Sequence, residues 1–299
     1  MLNLSANSNS RILIIGGNST IGAELYKTLS RQGFNVDTTT RRVSDVSSKV
    51  LFLDLADNKS FSSILKHHYD SAIICSAVTS VAACQKDPKS TKYINVDSTI
   101  EIINHLSERG THIIFISTSL VFDGSTAFAR PFDKKNPSCH YGEQKAIVED
   151  YLLTNNSSAA IVRFAKVIPP QYPLFVDWIS SLRLGESIFP YVDKYFAPVS
   201  LTFAVTILSW LIKYEKTGLY QVSSEFEITY SDAALHLAEL NCLDASLVRP
   251  SSSFSCLIPD GVNNNILYSS LQFSPQLSSI FSIPSPFDAI KESLNKVTS

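Results

Sequence analysis

Two side chains that can move a proton stand four residues apart in the segment Tyr141-Gly142-Glu143-Gln144-Lys145. Residues at this spacing share one face of a helix, and the surrounding pattern predicts a helix over Tyr141–Leu153. An unperturbed phenol has a pKa of about 10. An ammonium group one turn away stabilises the phenolate and is expected to lower that pKa. The pair could therefore deliver a proton to the alkoxide that forms when a carbonyl is reduced. Lys145 can also hold the nicotinamide ribose, so Tyr141 and Lys145 are predicted cofactor contacts as well.

A hydroxyl group at a strand end would complete this chemistry by fixing the carbonyl oxygen. The segment Ser117-Thr118-Ser119 follows the predicted strand His112–Ser117 and supplies such groups. We therefore predict a catalytic set of Thr118, Tyr141 and Lys145. The Tyr-x-x-x-Lys spacing alone is common, so its meaning depends on the elements around it.

A glycine-rich turn follows the first predicted strand, Arg11–Ile15, and precedes a predicted helix over Ile21–Gln32. Such a turn brings backbone N–H groups to a pyrophosphate at a helix N-terminus, where the helix dipole favours negative charge. Gly16 would form the turn and Gly22 would allow close packing of helix on strand, while Ser19 replaces the middle glycine. An ordinary strand–helix turn is the alternative. The predicted cofactor contacts here are Gly16, Asn18, Ser19, Thr20, Ile21 and Gly22.

The end of the second predicted strand, Val36–Thr40, indicates which dinucleotide is bound. A carboxylate there would bind the ribose 2′-hydroxyl of NAD, whereas an arginine accommodates the 2′-phosphate of NADP. Thr40 is followed by Arg41 and Arg42, and Asp37 lies too early in the strand. Guanidinium groups suit a phosphate dianion. NADP(H) is favoured over NAD(H), although a solvated basic pair is the alternative.

The first half of the chain alternates short apolar strands with helical patterns. Further strands are predicted at Val50–Leu53, Ala72–Cys75 and Ala160–Arg163, and a long helix at Ser90–Glu108. This order predicts an α/β fold, a Rossmann doubly wound parallel sheet, with a smaller C-terminal α+β region. We place the NADP-binding domain at residues 1–168, with 195–224 returning to it, and the substrate-binding region mainly at 169–299.

Composition excludes several classes of function. A net charge of -2 gives no reason to expect nucleic acid as a partner, and five cysteines without metal-like spacing argue against a metal site or a disulfide framework. The first ten residues do not resemble a signal peptide. The apolar stretch Phe196–Ile212 contains Pro198 and is predicted to be a buried amphipathic helix rather than a membrane anchor. A cytoplasmic protein without a membrane partner is expected.

With these motifs in place, the sequence resembles the extended short-chain dehydrogenase/reductases (the NAD-dependent epimerase/dehydratase superfamily), and within them the dTDP-4-dehydrorhamnose reductase branch. The resemblance rests on IIGGNSTIG at 14–22, SAVTSV at 76–81, STSLVFDG at 117–124, YGEQK at 141–145 and VRF at 162–164. It implies Thr118, Tyr141 and Lys145 as the triad and a nucleotide-activated sugar as substrate. It also implies that Asp54 and Leu55 lie by the adenine, and that Ser76, Ala77 and Val78 line the cofactor groove.

The chain departs from that branch at positions on the substrate side. Ser119 and Leu120 replace an acidic and an aromatic residue, and Lys166 stands where a tryptophan is usual. The leading hypothesis is an NADPH-dependent reductase of a keto-sugar nucleotide. A nucleotide-sugar epimerase or dehydratase with the same triad, and a non-catalytic NADP-binding regulatory subunit, remain alternatives. A homodimer is a possible assembly, and the sequence does not determine the oligomeric state.

Overall fold

The computed structural model describes residues 10–253 and 268–295, which divide into two compact units. Unit 1 comprises Met1–Val121, Cys139–Arg163 and Val205–Tyr220; unit 2 comprises Phe122–Ser138, Phe164–Ala204 and Gln221–Ser299. Residues 122–138 thus belong to unit 2, although the sequence-based boundary placed them with 1–168. They are held there by side chains of unit 2, because the Phe128 N–H donates to Ser270 Oγ at 2.7 Å and Gln221 Nε2 donates to the Ala129 carbonyl at 2.9 Å.

The strands form one large sheet and two small ones. They are β1 Arg11–Ile15, β2 Asn35–Thr40, β3 Val50–Phe52, β4 Ser71–Ile74, β5 His112–Thr118, β6 Ala160–Phe164, β7 Lys166–Ile168, β8 Tyr195–Phe196, β9 Pro198–Ser200, β10 Gly218–Val222 and β11 Ile228–Thr229. Seven strands make the large sheet, in the order β10-β6-β5-β4-β1-β2-β3. β1 pairs in parallel with β2 and β4, and β2 with β3 and β4 with β5 are also parallel. The predicted Rossmann-type fold is confirmed.

The strand order reverses beside β1, because the chain passes from β1 to β2 and β3 on one side and then crosses to β4 on the other. Ligands of such sheets bind in the crevice outside the carboxyl ends of the strands at this reversal. Ile12–Ile15 of β1 are at most 1% exposed, as expected for a central strand with both faces covered. The fold therefore places the glycine-rich turn after β1 at the site where a ligand is expected.

The helices are α1 Thr20–Arg31, α2 Ser62–Leu65, α3 Val81–Lys86, α4 Pro88–Lys92, α5 Ser98–Ser107, α6 His140–Asn155, α7 Pro173–Arg183, α8 Leu201–Lys213, α9 Tyr230–Leu240, α10 Pro275–Ser278 and α11 Pro286–Ser293. The single helix predicted over 90–108 is interrupted by a π-helical turn at Tyr93–Asp97. The stretch 196–212 is strand up to Ser200, and its helix begins at Leu201. Among the described residues, every helix is too short or too polar to cross a bilayer.

Each unit has an apolar core of its own. In unit 1 it includes Leu13, Phe61 and Phe115, which are at most 2% exposed. In unit 2 it is built around Phe175 and Phe196, which are also at most 2% exposed. The sheet core of unit 1 fixes the strand ends on which the candidate site depends.

His112 at the start of β5 is buried and is expected to make stability depend on pH. Its Nε2 lies 2.9 Å from the Lys216 carbonyl oxygen, which can only accept, so Nε2 carries the proton of the neutral ring. Burial holds the pKa of His112 below its ordinary value. The unfolded chain therefore binds more protons than the folded one as pH falls through about 6.5. We expect the free energy of unfolding to decrease from about pH 7.5 to about pH 5.5, measured by urea titration.

The variant His112→Gln keeps a donor for the Lys216 carbonyl but cannot take up a proton. It is expected to lose much of this pH dependence. His68 is exposed, so His68→Gln serves as the matched control and should behave like the unmodified protein. Identical pH profiles for the two variants would contradict the assignment.

Candidate cofactor and catalytic site

The turn after β1 brings two backbone segments closer than side chains would allow. Gly16 has a φ of 95°, in the left-handed region, and a Cβ there would lie 2.9 Å from both the backbone nitrogen and the Cβ of Ser76. A Cβ on Gly22 would lie 2.2 Å from the Gly16 carbonyl oxygen. Only glycine fits at these two positions, and the result is a helix whose first turn rests directly on the end of β1.

Ser19, which replaces the middle glycine of the motif, is the N-cap of α1. Its Oγ accepts a hydrogen bond from the Gly22 N–H at 3.0 Å and donates one to the Gly16 carbonyl at 2.8 Å. The departure from the glycine pattern therefore stabilises the start of the helix. The N–H groups of Thr20 and Ile21 open the helix, where backbone donors have no partner within it, and they can bind an anion.

A cavity of about 780 Å³ lies at the carboxyl ends of β1, β2 and β4. Twelve of the predicted cofactor residues line it: Gly16, Asn18, Ser19, Thr20, Thr40, Arg41, Arg42, Asp54, Leu55, Ser76, Ala77 and Val78. Four predicted residues do not line it, namely Ile21, Gly22, Tyr141 and Lys145. Its size falls within the usual range for small-molecule and cofactor sites, about 300–1,000 Å³. The polar lining and the two helix-opening donors suit a dinucleotide.

Two predicted lining residues on the far wall are held by a short polar network. The Asp54 N–H donates to Ser60 Oγ at 3.0 Å, and Ser98 Oγ donates to the Leu55 carbonyl at 2.6 Å. Leu55 is buried. Asp54 and Leu55 are therefore held in place and can contact the adenine base of a dinucleotide.

At the end of β2, Thr40 and Asn18 are joined by a hydrogen bond of 2.8 Å from Asn18 Nδ2 to Thr40 Oγ1. Arg41 and Arg42 follow and are exposed. Asp37 lies inside the strand, fully buried, and forms an ion pair with Arg11 at 2.6 Å. It is therefore unavailable to a ribose, as the sequence predicts.

Helix α6, which carries two of the predicted catalytic residues, is fixed to the end of β5 by Lys145. Lys145 is 4% exposed, and its Nζ donates to the Ile116 carbonyl at 2.8 Å. Thr118, the last residue of β5, lies two residues further on, and its Oγ1 accepts from the Leu120 N–H at 3.2 Å. Tyr141 is half-buried one turn before Lys145, on the same helix face. Unit 1 thus contains all three predicted catalytic groups.

Burial controls the protonation of these groups. It raises the pKa of the Tyr141 phenol above its ordinary value, and the nearby Cys84 and Cys139 raise it further. Burial also lowers the pKa of Lys145 to about 8, against the opposing effects of Cys75 and Glu149. The structure therefore differs from the expectation that the pKa of the phenol is lowered, because burial and the two neighbouring thiols all raise it. The phenol remains protonated at neutral pH, as a proton donor must be.

A buried amide network connects the catalytic helix with the cavity wall. Asn95, in the π-helical turn, bonds both backbone groups of Val78: the Val78 N–H donates to its Oδ1 at 2.7 Å, and its Nδ2 donates to the Val78 carbonyl at 2.9 Å. The same Nδ2 donates to Gln144 Oε1 at 2.7 Å. Gln144 Nε2 in turn donates to Thr91 Oγ1 at 3.0 Å. Isolated π turns occur often at functional sites.

The far side of α6 is fixed by a buried ion pair. Glu149 accepts from Arg163 Nε at 2.9 Å and from Arg163 Nη2 at 2.6 Å. Glu149 is 0% exposed and Arg163 1%. This two-point contact joins the helix to β6 and orients the turn that carries Lys145.

Most of the chain matches one known protein family. Residues 10–274 match the family described as the RmlD substrate binding domain. The chain belongs to this family.

Among curated relatives of this RmlD-family chain is the probable low-salt glycan biosynthesis reductase Agl14 of Haloferax volcanii. It is 25% identical over 247 residues, which cover 80% of this chain and 82% of the relative. Methionine adenosyltransferase 2 subunit beta of Bos taurus is 28% identical over 157 residues, covering 52% of this chain and 46% of the relative. The crystal structure of dTDP-4-dehydrorhamnose reductase from Bacillus anthracis in complex with NADP has a TM-score of 0.82 at 19% identity, covering 95% of this chain and 96% of that one.

Sequence reasoning did not identify several residues of this RmlD-family site. Thr39 and Cys75 line the cavity, and each stands at a strand end, a signal that could have found them. Asn95 and Gln144 lie 49 residues apart, and no pattern in the sequence joins them. Asp45 was also missed: the chain turns back after Arg42, and Asp45 Oδ2 comes to 3.5 Å from Asn18 Nδ2. Within the described part of the chain, no cluster of three or more His, Cys, Asp and Glu side chains could hold a metal ion.

Proposed function

We propose that this chain is an NADPH-dependent reductase of the keto group in a nucleotide-activated sugar. The observation that carries the proposal is the attachment of Lys145 to the Ile116 carbonyl, two residues before Thr118, with Tyr141 on the same helix face. Lys145 also acts electrostatically on Cys75, which lines the cavity. Lys145 thus links the segments that carry Tyr141 and Thr118 to a cavity suited to a dinucleotide. The family also has a sugar-nucleotide reductase among the relatives of this chain.

The chemistry of each residue follows from its position. The Thr118 hydroxyl and the Tyr141 phenol donate hydrogen bonds to the carbonyl oxygen of the substrate, and Tyr141 transfers its proton to that oxygen. Lys145 stabilises the phenolate that remains. NADPH supplies the hydride that the carbonyl carbon receives. The product is an alcohol, and the glycine turn and the cavity wall would hold the dinucleotide that supplies this chemistry.

The test is the consumption of NADPH with a panel of nucleoside-diphosphate keto-sugars, followed by absorbance and by analysis of the product. Stoichiometric alcohol and NADP⁺ would support the proposal. Conversion of a sugar nucleotide without net change of cofactor would instead indicate an epimerase or dehydratase. A cytoplasmic location, a homodimer and the absence of a nucleic-acid partner stay predictions of the sequence.

A second candidate is a non-catalytic NADP-binding regulatory subunit. It is favoured by the similarity to methionine adenosyltransferase 2 subunit beta, of which the matched region spans 46%. Binding of NADPH without turnover of any keto-sugar nucleotide, unaffected by Tyr141→Phe, would favour this candidate over the reductase.

The glycine turn yields a prediction about cofactor affinity. In Gly22→Ala the new Cβ would lie 2.2 Å from the Gly16 carbonyl oxygen, so the first turn of α1 must move away from β1. We expect the Kd for NADPH to rise about tenfold, ~1.4 kcal/mol, in a fluorescence titration. Gly33→Ala is the control: Gly33 has a positive φ and open space around it, so the substitution should lower stability and leave the affinity for NADPH unchanged. Wild-type affinity in Gly22→Ala would contradict the prediction.

A further inference from the structure

The rim of the cavity carries a carboxylate as well as two guanidinium groups. A 3-10 turn at Val43–Asp45 follows Arg42, and the Asp45 N–H donates to the Arg42 carbonyl at 3.0 Å. The turn directs Asp45 back toward the cavity, where Asp45 Oδ2 lies 3.5 Å from Asn18 Nδ2. Ser44 Oγ donates to Asp45 Oδ1 at 3.0 Å. The carboxylate is therefore held beside an amide that lines the cavity.

The same amide contacts Thr40, the last residue of β2. Asn18 Nδ2 donates to Thr40 Oγ1 at 2.8 Å, so Asp45 and Thr40 share one donor. The end of this strand is where a dinucleotide presents its adenosine ribose. Asp45 thus lies 3.5 Å from the amide that bonds the end of this strand, a carboxylate that the sequence analysis did not identify.

The charges at this rim favour different cofactors. Arg41 and Arg42 are exposed cavity-lining residues, and within the described residues neither forms an ion pair. Guanidinium groups attract a 2′-phosphate dianion. A carboxylate repels that dianion and accepts a hydrogen bond from a 2′-hydroxyl. The two guanidinium groups therefore favour NADPH at this rim, whereas the carboxylate favours NADH.

We infer that Asp45 is a specificity-determining residue that lowers the preference of this site for NADPH over NADH. The inference rests on the proposed function only in requiring a dinucleotide in this cavity. Asp45 weakens the binding of the 2′-phosphate by repulsion and supports the 2′-hydroxyl as an acceptor. Arg41 and Arg42 keep the site open to NADPH, so the Asp45 carboxylate sets the ratio of the two affinities.

The test compares Kd values of NADPH and NADH, by fluorescence titration of the full chain, for the unmodified protein and Asp45→Asn. The substitution keeps the size of the side chain and removes its charge. We expect NADPH to bind about three- to tenfold more tightly, with NADH unchanged or weaker. Raising the salt concentration should diminish the gain for NADPH.

Asp244→Asn is the matched control. Asp244 is exposed and caps another 3-10 turn, accepting from the Ser246 N–H at 2.9 Å, so the variant has the same net charge and a similar local change. It should leave both Kd values unchanged. Equal changes for NADPH and NADH in Asp45→Asn, or the same shift in Asp244→Asn, would overturn the inference.

The outcomes separate this inference from the proposed function. If neither nucleotide binds the unmodified protein, both fail. If both bind and their ratio does not respond to Asp45→Asn, only the role of Asp45 fails. If the ratio responds while no keto-sugar nucleotide is reduced, the role of Asp45 stands and the reductase proposal fails.

Discussion

Tyr141→Phe is expected to lower kcat for the reduction of the keto-sugar substrate by about a hundred- to ten-thousandfold, the usual contribution of a positioned general acid. The substitution removes one oxygen and keeps the ring, so the half-buried position remains filled. Because Tyr141 does not line the cavity, the Kd for NADPH should stay within about twofold of the unmodified value, a change of ~0.4 kcal/mol. Steady-state kinetics and a separate NADPH titration measure the two quantities.

A second tyrosine on the same helix gives the control. Tyr151 donates its hydroxyl to Asn104 and lies ten residues further along α6. Tyr151→Phe also removes one hydroxyl group and should leave kcat unchanged. The assignment of Tyr141 as proton donor would be lost if Tyr141→Phe reduced substrate as fast as Tyr151→Phe.

Glu149→Gln is expected to lower the free energy of unfolding by about 3–5 kcal/mol. Arg163 is 1% exposed, and Glu149→Gln removes the negative charge that faces its guanidinium group at two points. The amide can keep hydrogen bonds but cannot supply the negative charge. Urea unfolding monitored by circular dichroism gives the change directly.

The double variant Glu149→Met/Arg163→Met tests whether the loss comes from removing only one charge of the pair. Replacing a buried ion pair with apolar side chains of similar volume is often neutral or stabilising. The double variant should therefore be more stable than Glu149→Gln. A single variant within about 0.5 kcal/mol of the unmodified protein, or a double variant less stable than the single one, would contradict this account.

The sheet could be predicted from the sequence because its strands are short apolar runs between clear stop signals. β1 has the predicted bounds, Arg11–Ile15. The segment predicted as one helix over 90–108 is helical, but it consists of two α-helices joined by a π-helical turn. Apolar spacing predicts that the segment is helical, and it does not show that the turn at Tyr93–Asp97 is π-helical. Residues 122–138 group with unit 2 through hydrogen bonds such as that from Gln221 to Ala129, 92 residues apart, and no sequence pattern connects residues at this separation.

The sequence predicted those residues of the candidate site that lie at the end of a strand or directly after it. Gly16 and Thr40 stand directly after or at the end of their strands, and both line the cavity. Asp45 was missed because a short turn returns it to the rim. The pKa of Tyr141 was predicted in the wrong direction, since spacing reveals the neighbouring cation but not the extent of burial.

The amide of Asn95 serves two parts of the site at once. It is bonded to the backbone of Val78 on the cavity wall and to Gln144, which lies between the two predicted catalytic residues of α6. Neither part can shift by an ångström without stretching a bond to the same side chain. The cavity wall at Val78 and the segment of α6 that carries Tyr141 are therefore coupled through one side chain, and we expect a nucleotide that displaces the wall to displace Tyr141 as well.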